Sequence, residues 1–296
     1  MNRMRRKLCL WLCACAVSAA AFAAAADAIA PEPTPSEAVQ GMRPLWELGA
    51  GFSAGAVADY PSSDRYRFRG LPYPYFVYRG AFLRSDEAGT RVRASWRQNI
   101  EFSISADASF ASNSDGNGPR AGMPNLEYLF EIGPKVNITI ARPAPHTHLV
   151  LELPARSVIS TNFARRFDHD GWVSTPDIAL RSDSVLGTRW RGSLLVGPEF
   201  GDSRFAAYFY GVSPEYATPE RPAYDAHGGY IGSRLDLSVS CELTHSLRFF
   251  MDSEFNDYSG SANRDSPLFI TKTGGSVFAG FSWIIKRSRQ SVAVPR

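Results

Sequence analysis

The chain has 296 residues, with 32 Lys and Arg against 29 Asp and Glu, a formal net charge of +3. That length suits one large all-β domain, and so small a charge excess gives no reason to invoke nucleic acid. Of four cysteines, Cys9, Cys13 and Cys15 fall in the first fifteen residues, so Cys241 stands alone afterwards and excludes an internal disulfide or a cysteine metal site there.

Residues 1–26 read as a secretory signal. A basic start (Arg3, Arg5, Arg6, Lys7) precedes an apolar run from Leu8 to about Ala19, and Ala24-Ala25-Ala26 offers a cleavage site before Asp27. These four positive charges exceed the whole-chain +3, so the remainder carries about −1. Residues 27–43, with Pro31, Pro33 and Pro35, read as an extended linker. No later segment offers ~18 consecutive apolar residues, so no membrane helix is expected.

From residue 44 to 286 the chain alternates. In residues 99–110, Ile100, Phe102, Ile104, Ala106, Ala108 and Phe110 share a face, opposite Glu101, Ser103, Ser105, Asp107 and Ser109. Strand side chains point to opposite faces with period two, so this pattern is one apolar and one polar face. Residues 126–140 repeat it, with Leu126, Tyr128, Phe130 and Ile132 against Glu127, Glu131 and Lys135. So do 188–200 (Trp190, Leu194, Val196 and Phe200 against Arg189, Arg191 and Glu199) and 233–243 (Leu235, Leu237, Val239 and Cys241 against Arg234, Asp236 and Glu242). Residues 246–256 set Leu247, Phe249, Met251 and Phe255 against Arg248, Asp252 and Glu254.

A soluble sandwich would also alternate. Three features favour a membrane barrel. The segments run about 9–15 residues, where globular strands run about 5–6 and membrane strands need about 9–11. The charges crowd one face and leave the other apolar. Aromatics mark segment ends: Trp46, Phe76, Tyr78, Trp96, Phe110, Trp172, Trp190, Tyr230, Tyr258 and Trp283, with Tyr208-Phe209-Tyr210 read as part of the same interfacial girdle. The expected fold is all-β: a transmembrane antiparallel up-and-down β-barrel of about twelve strands, with ten as the alternative, followed by a tail over 287–296. Short connections near 97–99, 142–147, 182–187 and 244–246 oppose long ones at 57–71, 111–124, 160–171, 212–228 and 259–273.

The candidate lumen-facing charges are Arg91, Arg93, Glu101, Asp107, Glu127, Glu131, Lys135, Arg189, Arg191, Arg234, Asp236, Glu242, Arg248, Asp252 and Glu254, joined by Glu47 and Glu199. Their mixed signs point to ion-pair networks and at most a narrow pore, since one dominant sign would be needed for ion selectivity. His146-Thr147-His148 lacks a third ligand for a metal. Thr244-His245-Ser246 has no carboxylate beside it in sequence to orient a base. No catalytic, cofactor or metal residue is therefore expected, and outer-membrane lipid is the expected surrounding.

Three stretches carry a family resemblance: WELGAGFSAGAVADYPSSDRYRFRGLPYPYFVYRGAFL at 46–83, YFYGVSPEYATPERPAYDAHGGY at 208–230, and SRLDLSVSCELTHSLRFFMDSEFNDYSGSANRDSPLF at 233–269. Together they resemble the MipA/OmpV outer-membrane proteins, named for the MltA-interacting protein, over residues 45–285. The chain departs from that pattern at Ser62-Ser63-Asp64 and in the ten residues after Lys286. The resemblance implies a barrel in the outer membrane of a Gram-negative bacterium. It further implies a scaffold whose partners are a murein transglycosylase and a penicillin-binding protein, with porin-like and adhesive members as the alternative, and no catalytic residues.

Overall fold

The computed structural model describes residues 41–79, 83–86, 89–92, 99–114, 118–163, 167–185 and 188–294. The expected signal over 1–26 and most of the expected linker lie outside these, as do Arg93 and Trp96.

The strands in chain order are β1 (Gly41–Pro44), β2 (Trp46–Ala58), β3 (Tyr66–Arg79), β4 (Leu83–Asp86), β5 (Gly89–Val92), β6 (Ile100–Ser109), β7 (Tyr128–Ala144) and β8 (Thr147–Pro154). They continue as β9 (Arg156–Thr161), β10 (Phe167–Ser174), β11 (Asp177–Ser182), β12 (Trp190–Gly201), β13 (Gly229–Glu242), β14 (Leu247–Asp257), β15 (Thr273–Arg287) and β16 (Ser291–Val294). One α-helix, α1 (Ser203–Tyr210), interrupts the series among the described residues. Fourteen of the strands form one antiparallel sheet, and pairing of β7 with both β8 and β9 closes it on itself. Strands β8 and β9 are two halves of one stave separated by Ala155, and β10 and β11 are halves of another separated by Thr175 and Pro176. The result is a twelve-stave transmembrane up-and-down β-barrel, closed at the β2–β15 seam, where Phe281 lies opposite Phe52.

The two broken staves explain the glycines beside them. β7 changes partner from β9 to β8 at Gly133-Pro134, opposite the break at Ala155. β12 changes partner from β10 to β11 at Gly197-Pro198, opposite the break at Pro176. A Cβ on Gly133 would stand 1.9 Å from the Ala155 carbonyl oxygen, and one on Gly197 would stand 2.1 Å from that of Pro176. Each proline also lacks the N–H that a continuous ladder would use, so it belongs where pairing shifts.

Every long strand presents one face to its surroundings. Phe52, Phe76, Ile132, Ile140, Val196, Phe281 and Trp283 are exposed, while their sequence neighbours turn away. A water-facing sheet would leave polar residues there; an apolar belt of this extent fits hydrocarbon contact. Rings gather toward both ends of the belt. Trp190, Phe249 and Phe281 touch in series at the end bearing the connections 145–146, 183–189 and 243–246. Tyr128, Phe130 and Phe163 cluster toward the opposite end, where the long connections 59–65, 110–127, 162–166, 202–228 and 258–272 lie. Among the described residues no helix is long and apolar enough to cross a membrane.

The last residues of the expected linker and part of the expected tail meet: β1 pairs antiparallel with β16 as a two-stranded ribbon at the turn end. Bonds from Leu45 N to Gln290 O (2.8 Å) and from Ser288 N to Trp46 O (2.9 Å) tie this ribbon to the barrel.

Candidate functional site

The barrel holds two charged networks at different heights. In the middle, Glu152 on β8 accepts from Lys135 on β7 at 3.0 Å and from Arg181 on β11 at 2.5 Å. Next to it, Arg156 on β9 donates to Glu131 on β7 at 2.8 Å and to the Thr175 hydroxyl at 3.2 Å. Arg234 on β13 grips Asp177 on β11 with two donors and also reaches Thr175. Arg234 lies within electrostatic reach of Glu199 and Glu254 as well. The paired groups come from four staves and are mostly buried, so each ion pair crosses between strands.

The second network lies at the turn end. Glu242 accepts from Arg191 at 3.0 Å and from Arg248 at 2.8 Å. Arg248 also donates to the Tyr75 hydroxyl at 2.9 Å and stands over that ring. Glu47 pairs with Arg79 at 3.2 Å and Arg287 at 3.5 Å, and Arg79 donates onward to the Pro44 carbonyl. Tyr75, Val77 and Ile284 form a small apolar cluster beside these pairs.

The long-loop end is closed differently. Asp202 caps α1 by accepting from the Phe205 N–H at 2.9 Å, the bond that an N-cap carboxylate supplies to an orphan donor. Phe205, Ala206, Phe209 and Tyr210 then bury themselves against Leu129, Val158, Val173 and Ile231 from the strands and Tyr60, Met123, Leu126, Val212 and Leu268 from the loops. Polar bonds seal the rim. Arg120 donates to the Phe209 carbonyl at 3.1 Å, Ser266 to that of Tyr210 at 2.7 Å, and Tyr208 bonds the Glu127 backbone. Arg221 holds the Pro119 and Ala121 carbonyls at 2.9 Å each. Burial pushes the Tyr60 phenol up to about 12 and lowers the Arg120 guanidinium. Burial also raises Tyr208 and Tyr210.

This cap corrects one expectation. Tyr208-Phe209-Tyr210 is not a strand end in an aromatic girdle; it is the last turn of α1, and Tyr210 is fully buried. Tyr258, also read as girdle, is buried and packs where Gly232 and Gly274 make room. Leu126 leaves the apolar outer face for the cap, because it precedes β7 and bridges to Ser112.

The sequence-derived charges distribute as follows. Glu131, Lys135, Arg191, Arg234, Glu242 and Arg248 meet in the ion pairs above. Asp236 stands opposite Glu254, and Asp252 opposite Ser238, on the β13–β14 pair; Glu254 accepts from Asn256 at 2.6 Å. Glu101 is half-buried on β6, and Asp107 is exposed near the end of that strand. Glu127 precedes β7 and meets Tyr208 through its backbone. Arg189 falls in the turn before β12 and is exposed, because β12 starts one residue later. Arg91 lies on β5 with its side chain outside the described set, and Arg93 lies outside altogether. Arg79, Glu152, Arg156, Asp177 and Arg181 complete the networks but were not expected from the sequence. Among the described residues, no group of three or more His, Cys, Asp or Glu could hold a metal ion.

A family model described as "MltA-interacting protein MipA" matches residues 49–285, most of the chain. The chain belongs to the MipA family. Membership and the barrel fold together make this MipA-family chain an outer-membrane protein. Among solved structures, the outer membrane protease OmpT from Escherichia coli is similar over 84% of this chain and 100% of that chain, at 10% sequence identity and a TM-score of 0.28. No curated protein matches the chain.

Proposed function

We propose that this MipA-family barrel is a scaffold in the outer membrane of a Gram-negative bacterium, docking peptidoglycan-remodelling enzymes at its turn end. A murein transglycosylase and a penicillin-binding protein are the partners in this reading. One observation carries it: side chains obstruct the interior at more than one height. An apolar cap closes the long-loop end and ion pairs cross the middle, so the exposed ends are what remains for function. The family description, which names an interaction with MltA, supports the same choice. In this proposal the charged residues named from the sequence line the lumen as structural pairs, and residues 1–26 direct export and are removed. Cross-linked envelopes, solubilised and captured on the tagged barrel, should yield a transglycosylase or a penicillin-binding protein. Recovery of neither, with the barrel itself recovered intact, rejects the scaffold reading.

The charged interior favours a second reading, a narrow channel for small solutes. Planar-bilayer recordings decide it. Discrete conductance steps would establish the channel, and their absence from folded protein would remove it.

A further inference from the structure

The barrel wall is not equally tall all round. β4 and β5 form a ribbon of four pairs, and with Asp86 opposite Gly89 only residues 87–88 remain for its tip. The row Tyr78–Ser85–Thr90–Ile104 crosses this ribbon from β3 to β6, and the ribbon ends at the next pair above that row. β3 reaches on to Tyr66 and β6 to Ser109. Among the described residues no strand lies between 66–76 of β3 and 106–109 of β6, so the wall has a notch there that opens toward the long-loop end.

The edges of the notch are suited to staying unpaired. Bonds from Asp59 N to Arg65 O (2.9 Å) and from Arg79 N to Leu45 O (2.7 Å) turn the odd-numbered main-chain groups of β3 toward β2. Gly70, Pro72 and Pro74 therefore turn theirs toward the notch, where the two prolines offer no N–H. The bond from Thr139 N to Asn99 O (2.8 Å) likewise sets the odd residues of β6 toward β7, which leaves Ala106 and Ala108 facing the notch. The Ala108 N–H is taken by the Asp107 carboxylate at 2.8 Å instead of by a strand. A bare edge beside hydrocarbon is costly because lipid supplies no hydrogen bonds. An edge short of free donors lowers that cost and also resists the addition of a foreign strand.

Side chains span the notch from the inside. Arg69 donates to the Ala111 carbonyl at 2.8 Å and Arg67 to that of Asn113 at 3.3 Å. Phe110, expected on the outer face, turns inward: its ring stacks on Phe278 of β15 at 5.9 Å and lies 6.0 Å from the Arg69 guanidinium. The inner wall beside it is apolar, unlike the charged middle. The rings of Tyr73, Phe250 and Phe278 lie so close over Gly51, Gly280 and Gly55 that none of these glycines has room for a Cβ. Tyr73 and Phe250 meet edge to face at 6.1 Å. Leu71 shares the parity of buried Tyr75 and Val77, yet it is 43% exposed. Charge narrows the occupant further. Arg67 is neutralised by Asp59 at 2.6 Å. Arg69 meets no carboxylate among the described residues, and its Nε is buried without an acceptor. One unmatched guanidinium beside an aromatic floor suits one carboxylate carried on an apolar tail.

We propose that this notch is a lateral entry in the barrel wall that takes a long-chain carboxylic acid from the surrounding lipid, seating its carboxylate on Arg69 and its tail along Leu71, Tyr73, Phe250 and Phe278. The cap and the central ion pairs obstruct the axis, so the wall is the route by which an apolar molecule reaches this surface. This inference is independent of the scaffold reading, which concerns the turn end.

The test uses the full-length protein folded in nanodiscs of neutral phosphatidylcholine, a photoreactive diazirine palmitate, and mass spectrometry to locate the labelled residues. Labelling at Leu71, Tyr73, Phe250 or Phe278, competed by excess palmitate, is expected beside labelling of the outer face at Phe52 and Phe76. The Leu71→Gln/Phe250→Gln variant should lower the inner labelling about tenfold and leave the outer labelling unchanged, which also shows that the variant has entered the bilayer as a barrel. Arg69→Gln should abolish the preference for the acid over the photoreactive alcohol of the same chain length. Should the double variant lose the heat-dependent gel mobility of a folded barrel, Arg69→Gln decides alone. Label confined to the outer face of the folded parent overturns the proposal, as does a folded variant that behaves as the parent does.

Discussion

Removing Glu152 isolates the contribution of the central network. Its two carboxylate oxygens hold Lys135 at 3.0 Å and Arg181 at 2.5 Å, and its side chain is only 5% exposed. At an effective dielectric near 20 each such contact is worth about 4 kcal/mol before desolvation is counted. Desolvation cancels much of that gain, so the intact triad adds little net stability; breaking it is another matter. Glu152→Ala takes a carboxylate from a buried ammonium and a guanidinium, and loss of one partner from a buried pair costs about 3–5 kcal/mol. The lower part of that range is expected, because Arg181 is 26% exposed and can turn toward water. Replacing two of the three together, as Lys135→Met with Glu152→Leu, should recover part of the loss, since it removes the buried ammonium and leaves only the partly exposed Arg181 to turn toward water. Equilibrium urea unfolding of the barrel in lipid vesicles, followed by tryptophan fluorescence, reads both numbers. A loss below about 1 kcal/mol for Glu152→Ala, or a double variant less stable than the single one, would show that these charges are water-screened and that the interior is not packed as described.

Three further outcomes are expected. Ile132→Arg places a cation on the exposed apolar face in the interior of β7 and should cost about 2–4 kcal/mol, read by the same vesicle unfolding; a neutral effect would mean that this face does not meet lipid. Gly197→Ala should cost about 1–3 kcal/mol by overpacking against the Pro176 carbonyl, whereas Ala at exposed Gly122, with open space around its Cβ site, meets no atom and tests only backbone strain; equal losses would discount the close approach. Tyr60 has its folded-state value pushed up to about 12 from an ordinary 10.0, so its protonated form is favoured by folding. That stability is complete below pH 10 and is lost as pH rises toward 12. Absorbance at 295 nm, compared with Tyr60→Phe, should show one phenol titrating late, and a difference spectrum with its midpoint at pH 10 would contradict its burial.

How far the sequence could be read depends on parity. Where period-two alternation ran unbroken, as in Ile100–Ser109 and Gly229–Glu242, the faces were legible, because only a strand puts alternate residues on opposite sides. Glu152, Arg156, Asp177 and Arg181 fall outside the long alternating segments, on the short strands that Pro154 and Pro176 interrupt. Yet the buried parity continues through both, over Glu152, Pro154, Arg156 and Val158, and over Val173, Thr175, Asp177 and Ala179. A proline interrupts a ladder bond without changing which side the next residue faces. Helix α1 was misread for a different reason. Its aromatic ending, Tyr208-Phe209-Tyr210, suits a strand by propensity, and tertiary burial overrode that preference. The available signal was Asp202 as a cap, followed by buried Phe205, Ala206, Phe209 and Tyr210 at helical spacing.

The β2–β15 seam joins residues more than two hundred positions apart, such as Phe52 and Phe281. Every other neighbouring pair of staves can zip locally through its own connection, but this junction must wait until the final stave exists. Non-local pairing of this kind is the slow step in folding, because the entropy of bringing distant segments together is lost before any contact rewards it. Until the ends meet, β2 and β15 present bare edges to each other and to every other chain in the envelope. The ribbon of β1 and β16 lies just beyond that junction and joins the two chain ends that the seam must bring together.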